Sequence, residues 1–213
     1  YLFDIEAGIK VNEYIESAIT LDATSIRTKF DKIAPILQTI HASGKELRGE
    51  FAPFEEIKKY ESLIEEKISY ANYEAVREEV FSLEKRLADL GVDRKSCHIH
   101  LVPENFIESP QGRLYLIDWE YSSMNDPMWD LAALFLESEF TLQEEEVFLS
   151  YYESDQTPVS REKITIYKIL QDTIWSLWTV YKEEQGADFG DYGVNRYQRA
   201  VKGLAYYGDS DEK

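Results

Sequence analysis

Apolar positions recur along this chain with two different periods. Ile26, Phe30, Ile33, Leu37 and Ile40 follow one another at alternating steps of four and three, one face of a helix that ends at Ser43-Gly44. Pro35 lies inside it and is expected to kink it. "PFEEIKKYESLIEE" (53–66) reads as a second, more polar helix. Val76, Val80, Leu83, Leu87 and Leu90 mark a third, with Asn72 as its cap and Gly91 as its stop. The period then shortens. "SCHIHL" (96–101), "NFIES" (105–109) and "RLYLIDW" (113–119) read as short β segments, with turn chemistry in "SPQG" between the last two. At the start, "YLFD" and "IKVNEYIE" read as two β segments about a turn closed by Gly8, and Val11, Tyr14 and Ile15 suit strands. After "NDP" come a helix, "MWDLAALFLE", and three more helical stretches, at about 142–152, about 161–182 and "GVNRYQRAVKGLAYYG". "EEQGADFGDY" is a loop, the acidic run Glu144 to Glu146 reads as a solvated helix face, and "SDEK" as a frayed tail. The fold class is therefore α+β and mostly helical, with a small β insert that carries the polar residues.

Composition narrows the function. The 213 residues are 44% hydrophobic and 30% charged, enough for one large domain or two small ones. A net charge of −18 leaves no basic footprint for nucleic acid. That acidity suits a cationic or metal-bridged ligand, or solubility alone. Cys97 is the single cysteine, so no internal disulfide forms, which fits a reducing cytoplasm. No apolar run approaches the ~20 residues of a membrane span, and no signal peptide is expected. The chain opens at Tyr1 inside a strand-like segment and reads as a fragment.

Two constellations carry chemistry. In "CHIHLVPENF" (97–106), Asn105 ends a loop, and Asp118 ends the apolar strand "LYLID" thirteen residues on. A hairpin of that length returns the chain beside its start, so the two side chains can converge on one Mg²⁺, which prefers such hard oxygens. From the residues alone, a strand-end Asp is also a turn former. His98 and His100, two apart, also have a metallohydrolase spacing. Such sites want three or four ligands, and only His41, with Asp118 in support, remains to help. The second constellation is "TIWSLWTVY", with Trp175, Trp178 and Tyr181 at steps of three: a core stripe, or a wall for a quaternary ammonium.

The block "CHIHLVPENFIESPQGRLYLIDWEYSSMNDPMWDLAALFLE", with "LVPEN", "LIDWEYSS" and "DLA" in order, resembles the core of the choline kinase branch of the aminoglycoside-phosphotransferase and protein-kinase-like superfamily, in its bacterial, streptococcal-type form. The resemblance implies the C-terminal lobe of a protein-kinase-like fold, with a β hairpin carrying the catalytic loop and a metal-binding Asp. Residues 1–22 would be hinge strands and linker to an N-terminal lobe missing from the sequence. Residues 23–213 would be the helical lobe, with the catalytic loop at 97–106 and the metal and choline motif at 114–137. The implied activity is transfer of the ATP γ-phosphate to choline, with Mg²⁺ and ATP as cofactors and no nucleic-acid or membrane partner. By position, the resemblance implies that Asn105 and Asp118 bind metal and nucleotide, that His98 props the catalytic loop, and that Asp130 accepts hydrogen bonds from it. It further implies that Glu120, Tyr121, Glu137, Trp175, Trp178 and Tyr192 surround choline. The departure is His100, where the family has its catalytic Asp. Imidazole is a reasonable base near neutral pH, but it is bulkier and offers one acceptor, so impaired turnover is expected. The alternatives are a non-catalytic choline-binding remnant, or a kinase for ethanolamine or an aminoglycoside. The aromatic-rich site argues against the last.

Overall fold

The computed structural model describes residues 2–4 and 6–211. Strand β1 (Leu2–Asp4) pairs antiparallel with β2 (Ile9–Val11), and Gly8 takes φ +65° in the turn between them. The strand does not extend to Tyr14 and Ile15 as expected. Tyr14 is 86% exposed, with neither a partner strand nor a core to pack on. β3 (Ile19–Thr20) crosses instead to the middle of the chain.

Helix α1 (Phe30–His41) buries Phe30, Ile33 and Leu37. Ile26 is also buried, but on a separate 3₁₀ turn, Ser25–Thr28. Asp22 starts that turn by accepting from the backbone N–H groups of Thr24 (2.9 Å) and Ser25 (2.7 Å), so the periodic face is split between two elements. Pro35 sits inside α1 without ending it. α2 (Pro53–Leu63) and α3 (Tyr73–Leu90) follow. Gly91 stops α3 at φ +78°. Asn72 holds the cap position of α3 but is left-handed, and its side chain makes no cap bond.

β4 (Lys95–Cys97) pairs antiparallel with β7 (Ser123–Asn125), and residues 49–51 run beside β7 through Phe51 N–H to Met124 O (3.1 Å). β5 (Phe106–Glu108) and β6 (Leu114–Leu116) form the hairpin, with Phe106 opposite Leu116 and β3 on the outer side of β5. Its turn is closed by Gly112 N–H to Ser109 O (2.8 Å). α4 (Pro127–Glu137) is capped by Asp126, which accepts from Met128 N–H, and has Pro127 at its first position. α5 (Leu142–Tyr152) opens with a reciprocal Thr141–Glu144 capping box.

The acidic run is not a free solvated face. Glu144 pairs with Arg27 (2.9 Å), Glu145 with Lys168 (2.6 Å) and Glu146 with Arg161 (2.6 Å), so it fastens α5 to its neighbours. α6 (Arg161–Glu184) is the long central helix, buried along most of its length among α2, α4 and α7 (Tyr192–Asp211). Asp172, buried on α6, is held by both Arg196 (2.9 Å) and Arg199 (2.6 Å) of α7. The tail expected to fray is helical through Asp211; Glu212 and Lys213 lie outside the described residues. The architecture is a mostly helical body with small antiparallel sheets on one side, as expected of this kinase-like fold class.

Candidate active site

The segment 98–101 is not the strand its alternation suggests. β4 stops at Cys97, and Ile99 takes φ +75°, a left-handed conformation that is costly for a β-branched residue. Helix α4 holds it there from both sides. Asp130, fully buried in the first turn of α4, accepts from His98 N–H (2.8 Å) and Ile99 N–H (2.8 Å). Its neighbour Trp129 donates from Nε1 to the Ile99 carbonyl (3.0 Å). Asp130 also accepts from His41 Nε2 (3.0 Å), whose Nδ1 lies 2.7 Å from the Tyr152 hydroxyl. Burial raises the Tyr152 pKa far above the phenol range, so that hydroxyl keeps its proton. Sequence reasoning missed this role of His41 and Tyr152, which are 111 residues apart and linked by no local pattern.

The two loop histidines do not share a ligand set. His98 donates from Nε2 to the Ile117 carbonyl (2.8 Å) and packs on Trp119, with ring centroids 4.9 Å apart. Among the described residues, His41, Cys97 and Asp130 place ligand atoms within 4.8 Å of one another. Hydrogen bonds already occupy them, including Cys97 Sγ–H to Asn125 O (3.4 Å). Nothing in this arrangement favours a metallohydrolase.

Asn105 ends a 3₁₀ turn (Pro103–Asn105) just before β5, and Asp118 follows β6. Ile117 N–H donates to Asn105 O (2.9 Å), so Asp118 lies one residue beyond the position opposite Asn105. The Asn105 amide donates from Nδ2 to the His100 carbonyl (2.9 Å), which turns its Oδ1 away from the loop. Asp118 is exposed and left-handed at φ +64°, and its carboxylate makes no cap bond. One carboxamide oxygen and one carboxylate at the same end of a hairpin form a hard donor set that suits Mg²⁺.

The His100 ring meets aromatic neighbours. It lies edge-on to Tyr121 (5.5 Å) and 5.8 Å from Trp175, which meets Trp178 at 82°. Trp175 and Trp178 are half-buried at the margin of α6, whose core face is Ile174 and Leu177, so they are not part of a core stripe. Tyr181 turns elsewhere, against Tyr60 (6.2 Å). His100, Tyr121, Glu137, Trp175, Trp178, Tyr192 and Arg196 line a cavity of about 210 Å³ that is open to solvent on one side. Glu120 is not among them; it lines an adjoining cavity.

Arg196 is the residue that sequence reasoning overlooked here. It is buried, and it donates to Glu137 and to the Tyr192 hydroxyl (2.8 Å) while its other nitrogen holds Asp172. The four-residue step from Tyr192 to Arg196 on α7 was the available signal. Burial lowers the His100 pKa below the usual imidazole value, outweighing the opposite pull of Glu137, Asp118 and Glu120. The ring is neutral at neutral pH.

The fold is of the kinase-like class. The model of the family described as choline/ethanolamine kinase matches residues 5–168, and the chain belongs to that family. It is 92% identical to choline kinase LicA from Streptococcus pneumoniae, whose crystal structure superposes with a TM-score of 0.92 over 97% of this chain and 74% of that one. LicA has also been solved in complex with AMP, at 92% identity to this chain and a TM-score of 0.91. Protein LicA of Haemophilus influenzae is 28% identical over 94% of this chain, which spans 62% of that relative's length. A spectinomycin phosphotransferase at 14% identity and TM-score 0.59 shares the fold. Among the described residues, no helix is long and apolar enough to cross a membrane.

Proposed function

We propose that this chain is the acceptor-binding lobe of a cytoplasmic, ATP-dependent kinase that transfers the γ-phosphate to the hydroxyl of choline, giving phosphocholine. The observation that carries this reading is the box of His100, Tyr121, Trp175, Trp178 and Tyr192 against the loop. A quaternary ammonium has no N–H to donate and is attracted to aromatic faces and diffuse negative charge. Glu137 lines the box, but Arg196 already holds its carboxylate, so it offers no free acceptor. The box therefore favours choline over ethanolamine, whose primary ammonium needs free acceptors.

Residues 1–22 are the hinge to an N-terminal lobe, and residues 23–213 are the helical lobe. Asn105 Oδ1 and the Asp118 carboxylate would hold Mg²⁺, which when bound neutralises charge on the transferring phosphoryl group. Asp130 and His98 fix the loop backbone. His100 occupies the position of the base. Its neutral ring can accept a proton, but buried Nδ1 has no partner to orient it, and turnover is impaired. That same feature favours a second reading, a lobe that binds choline without turning it over.

The test uses the two-lobed protein. His100→Asp should raise kcat for choline phosphorylation by ~10²–10⁴ and change KM less, because a base acts in the transition state. If kcat stays unchanged while Asn105→Ala or Asp118→Ala abolishes it, position 100 is not the base.

A further inference from the structure

We propose a binding site for a small, neutral, apolar carbonyl compound in a cavity of about 270 Å³ behind the loop 98–101. Phe51, Phe54 of α2, Leu87 of α3, Val92 and Met124 of β7 give it apolar walls. It shares no residue with the acceptor box. Two polar side chains line it and lack partners. Asn125, 6% exposed, accepts from Asp126 N–H at Oδ1 (2.7 Å), and its Nδ2 is left without a hydrogen bond. Tyr167 is 1% exposed, and its hydroxyl meets no hydrogen-bond partner among the described residues.

Apolar walls alone would define no ligand; the two polar groups do. A buried donor without a partner is costly, and a ligand that supplies an acceptor recovers that cost. Burial holds the Tyr167 phenol far above its ordinary range, so the hydroxyl keeps its proton and can donate. A carbonyl oxygen has two lone pairs and no proton, which suits a site that offers donors. An ammonium would bring only further donors. A carboxylate would meet Glu50, Glu84 and Asp93 at the rim, where Arg94 already faces Glu46 (3.6 Å), so like charge repels it. A protein cavity of roughly 150 Å³ holds a benzene ring, so this one has room for a ring and its carbonyl. The cavity lies one layer behind the loop. Phe51 and Tyr167 both pack on Trp129, with ring centroids at 4.7 and 5.8 Å, and Trp129 Nε1 donates to the Ile99 carbonyl (3.0 Å).

The probe is acetophenone, titrated into the full chain and followed through the side-chain amide resonance of Asn125 in amide-correlation NMR spectra. Ethylbenzene has nearly the same shape without the acceptor, and benzoate adds a charge. Tyr167→Phe removes a hydroxyl that no other residue holds, so the fold is kept. Ala88→Trp, at an exposed position of α3, covers the cavity. We expect one acetophenone per chain, with a saturable shift of the Asn125 amide. Binding should be about fivefold weaker in Tyr167→Phe and absent in Ala88→Trp. Ethylbenzene and benzoate should each bind about fivefold or more weaker than acetophenone. An Asn125 resonance that does not move overturns the site. So does an affinity unchanged by Tyr167→Phe or by Ala88→Trp, or either control binding as tightly as acetophenone. The acceptor box stands or falls separately, because neither substitution touches it.

Discussion

Replacing Asp130 by Asn tests how the loop is held. The carboxylate accepts three hydrogen bonds, two at Oδ2 from His98 N–H and His41 Nε2, and one at Oδ1 from Ile99 N–H. Asparagine keeps one acceptor oxygen. With that oxygen toward His98, its NH₂ faces the Ile99 N–H; flipped, it faces both the His98 N–H and His41. Either way at least one charge-assisted bond is lost and a buried donor is left unpaired, a cost of about 3 kcal/mol. Ile99, at φ +75°, also loses the contact that holds it there. In a chain of this size 1 kcal/mol corresponds to roughly 2–4 °C, so Tm should fall by roughly 6–12 °C. Circular-dichroism melts of Asp130→Asn measure this, with Asp89→Asn as control. Asp89 pairs with Lys85 on an exposed helix face, and its loss should cost within about 0.5 kcal/mol. An Asp130→Asn melt within about 2 °C of the parent would refute the account of the loop.

Other substitutions probe the rest of the lobe. Arg196→Ala should cost about 3 kcal/mol by leaving buried charge uncompensated, and it should weaken choline binding because Glu137 and Tyr192 lose their anchor; urea unfolding and a choline titration read the two effects. Gly193→Ala places a Cβ 2.7 Å from the Tyr70 hydroxyl and 2.8 Å from Thr179 Cβ, so it should lose about 1–3 kcal/mol in urea although alanine favours helix. His100 has its pKa lowered by burial, so the unfolded chain takes up its proton at higher pH than the folded chain does. Its contribution to stability is therefore complete above about pH 6.5 and is lost as pH falls toward the depressed folded value. Urea midpoints between pH 8 and 5.5 should show this slope, and His100→Gln should remove it.

Most of the helices were legible because their apolar faces repeat locally. Val76, Val80, Leu83 and Leu87 needed no distant partner to be read, and they are buried as a set. The β5–β6 hairpin was legible from "SPQG", whose turn depends on its own four residues. The loop was not. His98, Ile99, His100 and Leu101 alternate like a strand, but a carboxylate 31 and 32 residues further on captures two of their amides. Asn72 has the composition of a cap but not its backbone geometry. The run Glu144–Glu146 looked solvated because its cations, Arg27, Lys168 and Arg161, come from three other places in the chain. The box shows both sides of this divide. The Trp175–Trp178 step was visible, whereas Arg196 acquires meaning only once α4 and α7 meet over Asp172 and Glu137. The division at residue 22 and the individual site roles rest on the family resemblance.

The measurement that bears most directly on the central claim is a tryptophan-fluorescence titration of this chain with choline, with ethanolamine in parallel. Trp175 and Trp178 line the box and report on it; Tyr192 closes it without contributing to the tryptophan signal. The account predicts a saturable change with choline, a weaker response to ethanolamine, and about a tenfold loss of choline affinity in Tyr192→Ala. No saturable change, or equal affinity for the two amines with no effect of Tyr192→Ala, would contradict it.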